Sequence, residues 1–360
     1  MKILFVNTNI GYGGASKMMA TVANACAEKH DVTFLTFRNA EIKQPLSDKV
    51  KFVFDPLFKS KIKPLEMLGQ IRALRRYIKR ERFDLAVAFL WPSHYMTVLA
   101  AKGTKTKVLL SERADPVTRA KNRSCVGYIF ESIIRRADAY VFQSDGAANA
   151  YPKRCRERGT VIVNALPDVD YPVYAPDEAQ KSIVCVARFE NRQKRQDVLV
   201  DAFAIFSKTR PDYVLRFVGD GPDEDAIKER VKASGIADKV EFCGARKDVL
   251  AILAKSTIFA LSADYEGIPN ALLEAMAVGV PSVSTDCSPG GARMVVDDGV
   301  NGLIVPCGDP AKLAEALGRL ADDAELRRTF SQNAASVKEK FESKAVDAKW
   351  LETIERLDLR

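Results

Sequence analysis

Short apolar runs rich in β-branched residues alternate with stretches of helical periodicity along this chain, and the whole alternation occurs twice. The first pass contains KILFVNT, DVTFLTF, KFVFDP, LAVAFL, KVLLSE, AYVFQS and TVIVNA, separated by helical stretches such as SKMMATVANACAEK. The second contains SIVCVAR, YVLRFVGD, VEFCGA, IFALSA, PSVSTD and GLIVP. Runs without polar alternation are strands buried on both faces, which is how a parallel sheet covered by helices reads. Two such arrays predict an α/β chain of two doubly wound, Rossmann-like parallel-sheet domains. NALPDVDYPVYAPDEAQKS, with three prolines and several acids, falls between them as a linker. The expected division is 1–167, 168–340, and a final helix over 341–360 that crosses back to the first domain.

At 360 residues and 47% hydrophobic, the chain can bury two cores. It holds no run of about twenty apolar residues, and MKILFVNTNIGYGG is a strand and a Gly-rich turn rather than a cleaved signal. A cytoplasmic protein, peripheral at the membrane, is expected. Its seven scattered cysteines show no metal-ligand spacing, and most of them read as small buried hydrophobes in a reducing compartment. With only His30 and His94, a multi-histidine metal site is excluded and a Ser-His-Asp triad disfavoured. Charge is unevenly spread. Residues 1–167 carry 29 Lys+Arg against 14 Asp+Glu, a net of +15, and the remainder 26 against 33, a net of −7. The basic half suits phosphates, and amphipathic segments such as PLEMLGQIRALRRYIKRER suit an anionic membrane surface. On that helix Leu65, Met67, Leu68, Ile71, Leu74, Tyr77 and Ile78 form the expected apolar stripe, with Arg72, Arg75, Arg76 and Lys79 crowding the rest. No nucleic-acid-binding module is visible.

Three stretches carry candidate chemistry. In NTNIGYGGASK, Gly13 and Gly14 let backbone amides approach an anion at a helix start, although many βα turns are Gly-rich for geometry alone. Ser16 stands where a dinucleotide-binding turn needs its third glycine, which disfavours an NAD enzyme. In VARFENRQKRQD, Arg188 and Lys194 lie at a strand tip where two cations can neutralise a diphosphate; a solvated charged loop is the plainer reading. In DYEGIPNALLEAMAVGVP, Glu266 precedes a helix start and Glu274 lies on its second turn, with Pro269 expected in the first turn. Spacing alone leaves two unrelated acids as the alternative. DVD at Asp168–Asp170 reads as a solvated turn.

In this order, GYGGAS, VARFENRQKRQDVLVDAF, FVGDGPDEDAIKERV, VEFCGARKDV, ADYEGIPNALLEAMAVGVPSV and DDGVNGLIVP resemble the retaining glycosyltransferase family 4, across nearly the whole chain. The resemblance implies the GT-B architecture, two Rossmann-like domains facing a central cleft, and sugar transfer from a nucleotide-sugar without a metal in the site. It implies that Arg188 and Lys194 bind the donor diphosphate and steady the leaving nucleotide, that Glu266 holds the donor sugar and stabilises positive charge at its anomeric carbon, and that Glu274 binds the ribose. Gly219, Gly267, Ile268, Asn270 and Ala271 would also meet the donor, Gly13 and Gly14 would line the cleft opposite, and Arg246 and Lys247 would sit near the base.

The sequence departs from the family pattern at the acceptor side, where Glu112 and Arg113 in LLSERADP replace a frequent histidine. Arg195 replaces the glycine after the diphosphate lysine, and Met294 an acid after the GG turn. EGIPNALLEAMA, SER and the basic helix look most like the branch that extends lipid-linked or polysaccharide precursors, including N-acetylgalactosamine transferases acting on polyprenyl-diphosphate-linked glycans. This favours UDP-N-acetylhexosamine or UDP-hexose as donor, and a lipid-diphosphate acceptor near Glu112, Arg113, Arg72, Arg75, Arg76 and Lys79. The rivals are a UDP-sugar epimerase of the same fold and a non-catalytic nucleotide-sugar-binding membrane scaffold.

Overall fold

All thirteen apolar runs form strands, and each half of the chain assembles them into one all-parallel sheet. The computed structural model describes residues 1–8, 10, 11, 14–38, 41–55, 58–122 and 124–358. The first sheet contains β1 (Lys2–Asn7), β2 (Asp31–Thr36), β3 (Val50–Phe54), β4 (Leu85–Phe89), β5 (Lys107–Glu112), β6 (Ala139–Phe142) and β7 (Gly159–Val161). Its order is β3-β2-β1-β4-β5-β6-β7. The second contains β8 (Gln180–Val186), β9 (Val214–Val218), β10 (Val240–Phe242), β11 (Ser256–Leu261), β12 (Ser282–Thr285) and β13 (Leu303–Val305), in the order β10-β9-β8-β11-β12-β13. Central strands are buried throughout, β4 and β11 at every residue, because helices cover both faces. The order reverses between β1 and β4 and between β8 and β11, so the crevices where ligands bind such sheets lie at those carboxyl ends.

The chain divides into Met1–Ala165 with Ser343–Arg360, and Leu166–Glu342. These divisions fall two residues before and two after the expected ones. The segment between β7 and β8 is fastened to the second unit rather than loose: Tyr174 is buried, its N–H donates to the Val278 carbonyl at 3.1 Å and its hydroxyl to Thr257 at 3.4 Å. Asp168–Asp170 are exposed.

The Ser343–Asp358 helix inserts Val346, Trp350, Ile354 and Leu357 into the first unit's core at helical spacing. Trp350 is fully buried and stacks on Phe89 with ring centroids 5.6 Å apart. The Arg113 guanidinium lies 5.2 Å from the Trp350 ring and 5.5 Å from that of Phe89. Most cysteines are interior, as expected: Cys26, Cys155, Cys185 and Cys287 are buried, while Cys125 and Cys307 are exposed.

The apolar stripe of the Lys63–Glu81 helix is shorter than expected. Ile71, Leu74 and Ile78 are buried, whereas Leu65 and Leu68 are 52% and 42% exposed. At about 100° per residue, each step of three turns a side chain back by about 60°. Leu68 and Leu65 therefore rotate progressively off the face that Ile71 occupies.

Candidate functional site

The second sheet's reversal point brings the tip of β8 beside the tip of β11, and two of the proposed site residues meet there. Beyond β8 the chain runs along Gly219: the Ala187 N–H donates to Val218 O at 3.0 Å and the Phe189 N–H to Asp220 O at 2.9 Å. Gly219 has φ +142°, and a Cβ there would strike the Ala187 carbonyl, so glycine permits the approach. The turn Asn191–Lys194 follows, anchored by the Asn191 N–H on Asp223 Oδ2 at 2.7 Å. Arg195, with φ +49°, joins it to the Gln196–Phe206 helix and donates to Asp197 at 3.0 Å and Asp264 at 2.8 Å. The arginine that replaces a family glycine thus ties the β8 loop to the β11 loop.

Lys194 Nζ pairs with Glu266 Oε1. Gln193 Nε2 donates to the Tyr265 carbonyl at 3.1 Å and to Glu266 Oε2 at 3.3 Å. The Lys194 carbonyl accepts from the Ser262 hydroxyl at 2.9 Å, and the Asp264 N–H donates to Gln193 O at 2.9 Å. Lys194 and Glu266 side chains are only 20% and 11% exposed, while Arg188 is 66% exposed with Glu190 3.9 Å away. One cation is fixed at the crevice and the other reaches into solvent.

Glu266 is held from behind as well. Its N–H donates to Ser288 O at 2.7 Å, and the Ser288 N–H donates to Asp264 O at 3.0 Å. Gly291 packs against Gly267 so closely that a Cβ would overlap the Gly267 carbonyl oxygen. Gly291→Ala is expected to destabilise the second unit by about 1–3 kcal/mol, read as a fall in melting temperature of roughly 2–4 °C for each kcal/mol. An unchanged melting curve would show that the two loops are not in contact.

Pro269 is the cap before the Asn270–Val278 helix rather than a residue of its first turn, and its carbonyl accepts the Leu273 N–H at 3.0 Å. The N–H groups of a helix's first turn lie outside its internal hydrogen-bond ladder, which leaves a partial positive charge at that end. Ile268 is buried; Gly267, Asn270, Ala271 and Glu274 are half-buried. Glu274 lies near Tyr171, whose phenol is raised by burial and then by that carboxylate. Arg246 and Lys247 are exposed beyond β10, two strands from β8, and Arg246 donates both arms of its fork to Asp248 at 2.8 and 2.7 Å.

In the first unit Gly13 lies outside the described residues; Gly14 opens the helix Gly14–Ala27. Glu112 ends β5 and is buried, accepting from Tyr151 OH at 2.6 Å, Arg119 Nη2 at 2.7 Å and the Ala114 N–H at 3.2 Å. Burial alone would raise its carboxyl, but the Arg119 guanidinium and the hydrogen bonds from Arg119 and Tyr151 outweigh that and lower it. Burial pulls the His94 imidazole down to about 4, so it is neutral at pH 7, and its Nε2–H donates to the Ser111 carbonyl at 3.0 Å. Arg113 is also buried, donating to Ser111 Oγ at 2.7 Å and Asn164 Oδ1 at 2.9 Å. Arg75 donates to the carbonyls of Ala100, at 3.2 Å, and Lys102, closing the end of the Ser93–Ala101 helix; Arg72, Arg76 and Lys79 are exposed. Gln193, Gly291, Arg119 and Tyr151 were not singled out by sequence. Gln193 adjoins Lys194, and Gly291 belongs to the SPGG turn, but Arg119 and Tyr151 carry no local signal.

Residues 170–337 match the family model for glycosyl transferases group 1, and residues 12–168 that for Glycosyltransferase Family 4. The chain is 26% identical, over 98% of both chains, to the Campylobacter jejuni GalNAc-alpha-(1->4)-GalNAc-alpha-(1->3)-diNAcBac-PP-undecaprenol alpha-1,4-N-acetyl-D-galactosaminyltransferase. It is 24% identical, over 93% of this chain and 94% of the relative, to the same organism's N-acetylgalactosamine-N,N'-diacetylbacillosaminyl-diphospho-undecaprenol 4-alpha-N-acetylgalactosaminyltransferase. Among solved structures, Anabaena Alr3699/HepE in complex with UDP and glucose superposes with a TM-score of 0.82 at 20% identity, over 99% of each chain.

Proposed function

This chain belongs to the family 4 glycosyltransferases of GT-B fold, and from that premise we propose that it moves a sugar from a UDP-linked donor to a glycan carried on a polyprenyl diphosphate, with retention at the anomeric carbon. The observation that carries this reading is the Lys194–Glu266 pair at the point where the second sheet reverses its strand order. An ammonium has three donors, so Lys194 can keep Glu266 and still meet a phosphate oxygen. Glu266 uses one oxygen on Lys194 and the other on Gln193 and retains lone pairs for sugar hydroxyls.

When the bond from the anomeric carbon to the diphosphate breaks, negative charge grows on the leaving UDP and positive charge on the sugar. Lys194, Arg188 and the amides opening the Asn270–Val278 helix face the first, without a metal ion, and Glu266 the second. Glu274 is assigned to the ribose. The donor choice and the acceptor class are supported by the N-acetylgalactosaminyl transfer to undecaprenyl-diphosphate glycans for which the Campylobacter relatives are named, and by UDP in the Anabaena complex. The net +15 of residues 1–167 supports the first unit as the acceptor side, peripheral at the cytoplasmic face of the membrane.

A screen of UDP- and GDP-sugars against lipid-diphosphate-linked glycans, read by mass, tests the proposal. Transfer from a UDP-N-acetylhexosamine or UDP-hexose is expected, together with thermal stabilisation by UDP. Stabilisation by GDP alone would overturn the donor assignment, and an epimerised UDP-sugar formed without acceptor would overturn transfer.

A further inference from the structure

Arg195 occupies a backbone conformation that suits glycine, the residue the family pattern has there. Its φ of +49° and ψ of +45° fall in the left-handed region, where the Cβ of an L-residue crowds the following carbonyl. A residue other than glycine persists in such a conformation only where its surroundings hold it there. Arg195 is also the point at which the Asn191–Lys194 turn ends and the Gln196–Phe206 helix begins. A change at this junction therefore moves Lys194.

The side chain supplies the holding contacts. Nε and Nη2 donate to the two oxygens of Asp197 at 3.0 and 3.2 Å, and Nη1 donates to Asp264 Oδ2 at 2.8 Å. All three side chains are half-buried. The Asp197 contact is local, and Asp197 is itself anchored by its N–H on Asn191 Oδ1 at 3.0 Å. The Asp264 contact crosses 69 positions to the loop after β11, two residues before Glu266. A Cβ on Gly308, beyond β13, would lie 3.8 Å from Nη1, so the loop after β13 backs the same guanidinium. Arg195 thus joins the loops that follow β8, β11 and β13. Its bridge starts one residue after Lys194 and ends two residues before Glu266, the pair that faces the donor. Two carboxylates against one guanidinium leave this group without excess positive charge for a phosphate, which favours a role exerted through the neighbouring pair.

We propose that Arg195 is a positioning residue for transfer: its bridge to Asp264 holds Lys194 and Glu266 in register before the donor binds, which a glycine at this position cannot do. The proposal rests on the reading of Lys194 and Glu266 as the donor site, and it assigns Arg195 no contact with the donor.

Arg195→Gly and Asp264→Asn, each alone, together, and each combined with Lys194→Ala, test it on the full-length protein by steady-state transfer and by calorimetry of UDP binding. Glycine relieves the left-handed strain as it removes the bridge, so the melting temperature of Arg195→Gly is expected to stay within about 2–4 °C of wild type. Asp264→Asn breaks the same bridge without touching the junction, and serves if the glycine variant does not fold. Each single change is expected to lower kcat about 10–10²-fold, the range for reacting groups displaced from the productive geometry. UDP is expected to bind about two- to tenfold more weakly, the cost of ordering one long side chain on binding. The two changes together are expected to cost no more than the worse of them. In the Lys194→Ala background, either change is expected to alter UDP affinity by less than about twofold, because the side chain being positioned is gone. An equal loss of UDP affinity with and without Lys194 would overturn the proposal, since Arg195 would then meet the diphosphate itself. Turnover and UDP affinity equal to wild type in both single variants would overturn it as well. Absence of transfer from every UDP-sugar by wild type would sink the transferase reading and leave the UDP-binding comparison standing as the test of Arg195.

Discussion

Lys194→Ala is expected to lower kcat by roughly 10²–10³-fold, the usual cost of removing one preorganised group that faces developing charge, with a smaller effect on donor KM. The geometry supports a loss concentrated in the transition state. Lys194 leaves a turn tied to β11 by the Ser262 hydroxyl, and its ammonium is already fixed on Glu266. A cation held before the reaction stabilises the departing diphosphate without reorganising, whereas a mobile one must first give up conformational freedom. Arg188, at 66% exposure, is in the second position. Arg188→Ala is therefore expected to cost less in kcat than Lys194→Ala. Steady-state kinetics with a UDP-sugar would decide the ranking, and the reverse order would mean that Arg188, not Lys194, carries the leaving-group charge.

The two sheets were legible because their strands are buried on both faces: an apolar run such as IFALSA is too short for an ordinary helix and ends in a polar loop, which suits a strand covered on both sides. Other features depend on residues far apart. Lys194 meets Glu266 from 72 positions away, and only the parallel order β8-β11 brings those tips together. Arg113 was expected near the acceptor, yet Trp350, from the returning C-terminal helix, closes over it. Burial lowers the pKa of Arg113, and the two ring faces and the Asn164 and Ser111 oxygens are what it receives in return. Glu112, expected beside the acceptor, is enclosed by Tyr151 and Arg119. For the Lys63–Glu81 helix the residues were read correctly as apolar, but not their direction. Leu65 and Leu68 keep a spacing of three that leaves the core face, which a count of hydrophobic positions does not register.

Glu266→Gln keeps the shape of the side chain and removes its charge, so it isolates the electrostatic part of the site. Turnover is expected to fall by about 10²-fold or more, within the range for losing one oriented group in a water-poor site. The substitution also alters Lys194, whose partner becomes a neutral carbonyl oxygen at best, and the amide places an N–H where Gln193 Nε2 now donates. The ammonium then loses the contact that holds it, and the diphosphate and sugar ends of the site degrade together. Because the two residues act as one unit, Lys194→Ala combined with Glu266→Gln is expected to cost little more than the worse single change, far from the product of the two. If instead the losses multiply, the carboxylate and the ammonium work independently, and the salt bridge is a packing contact of the two loops rather than the element that organises transfer.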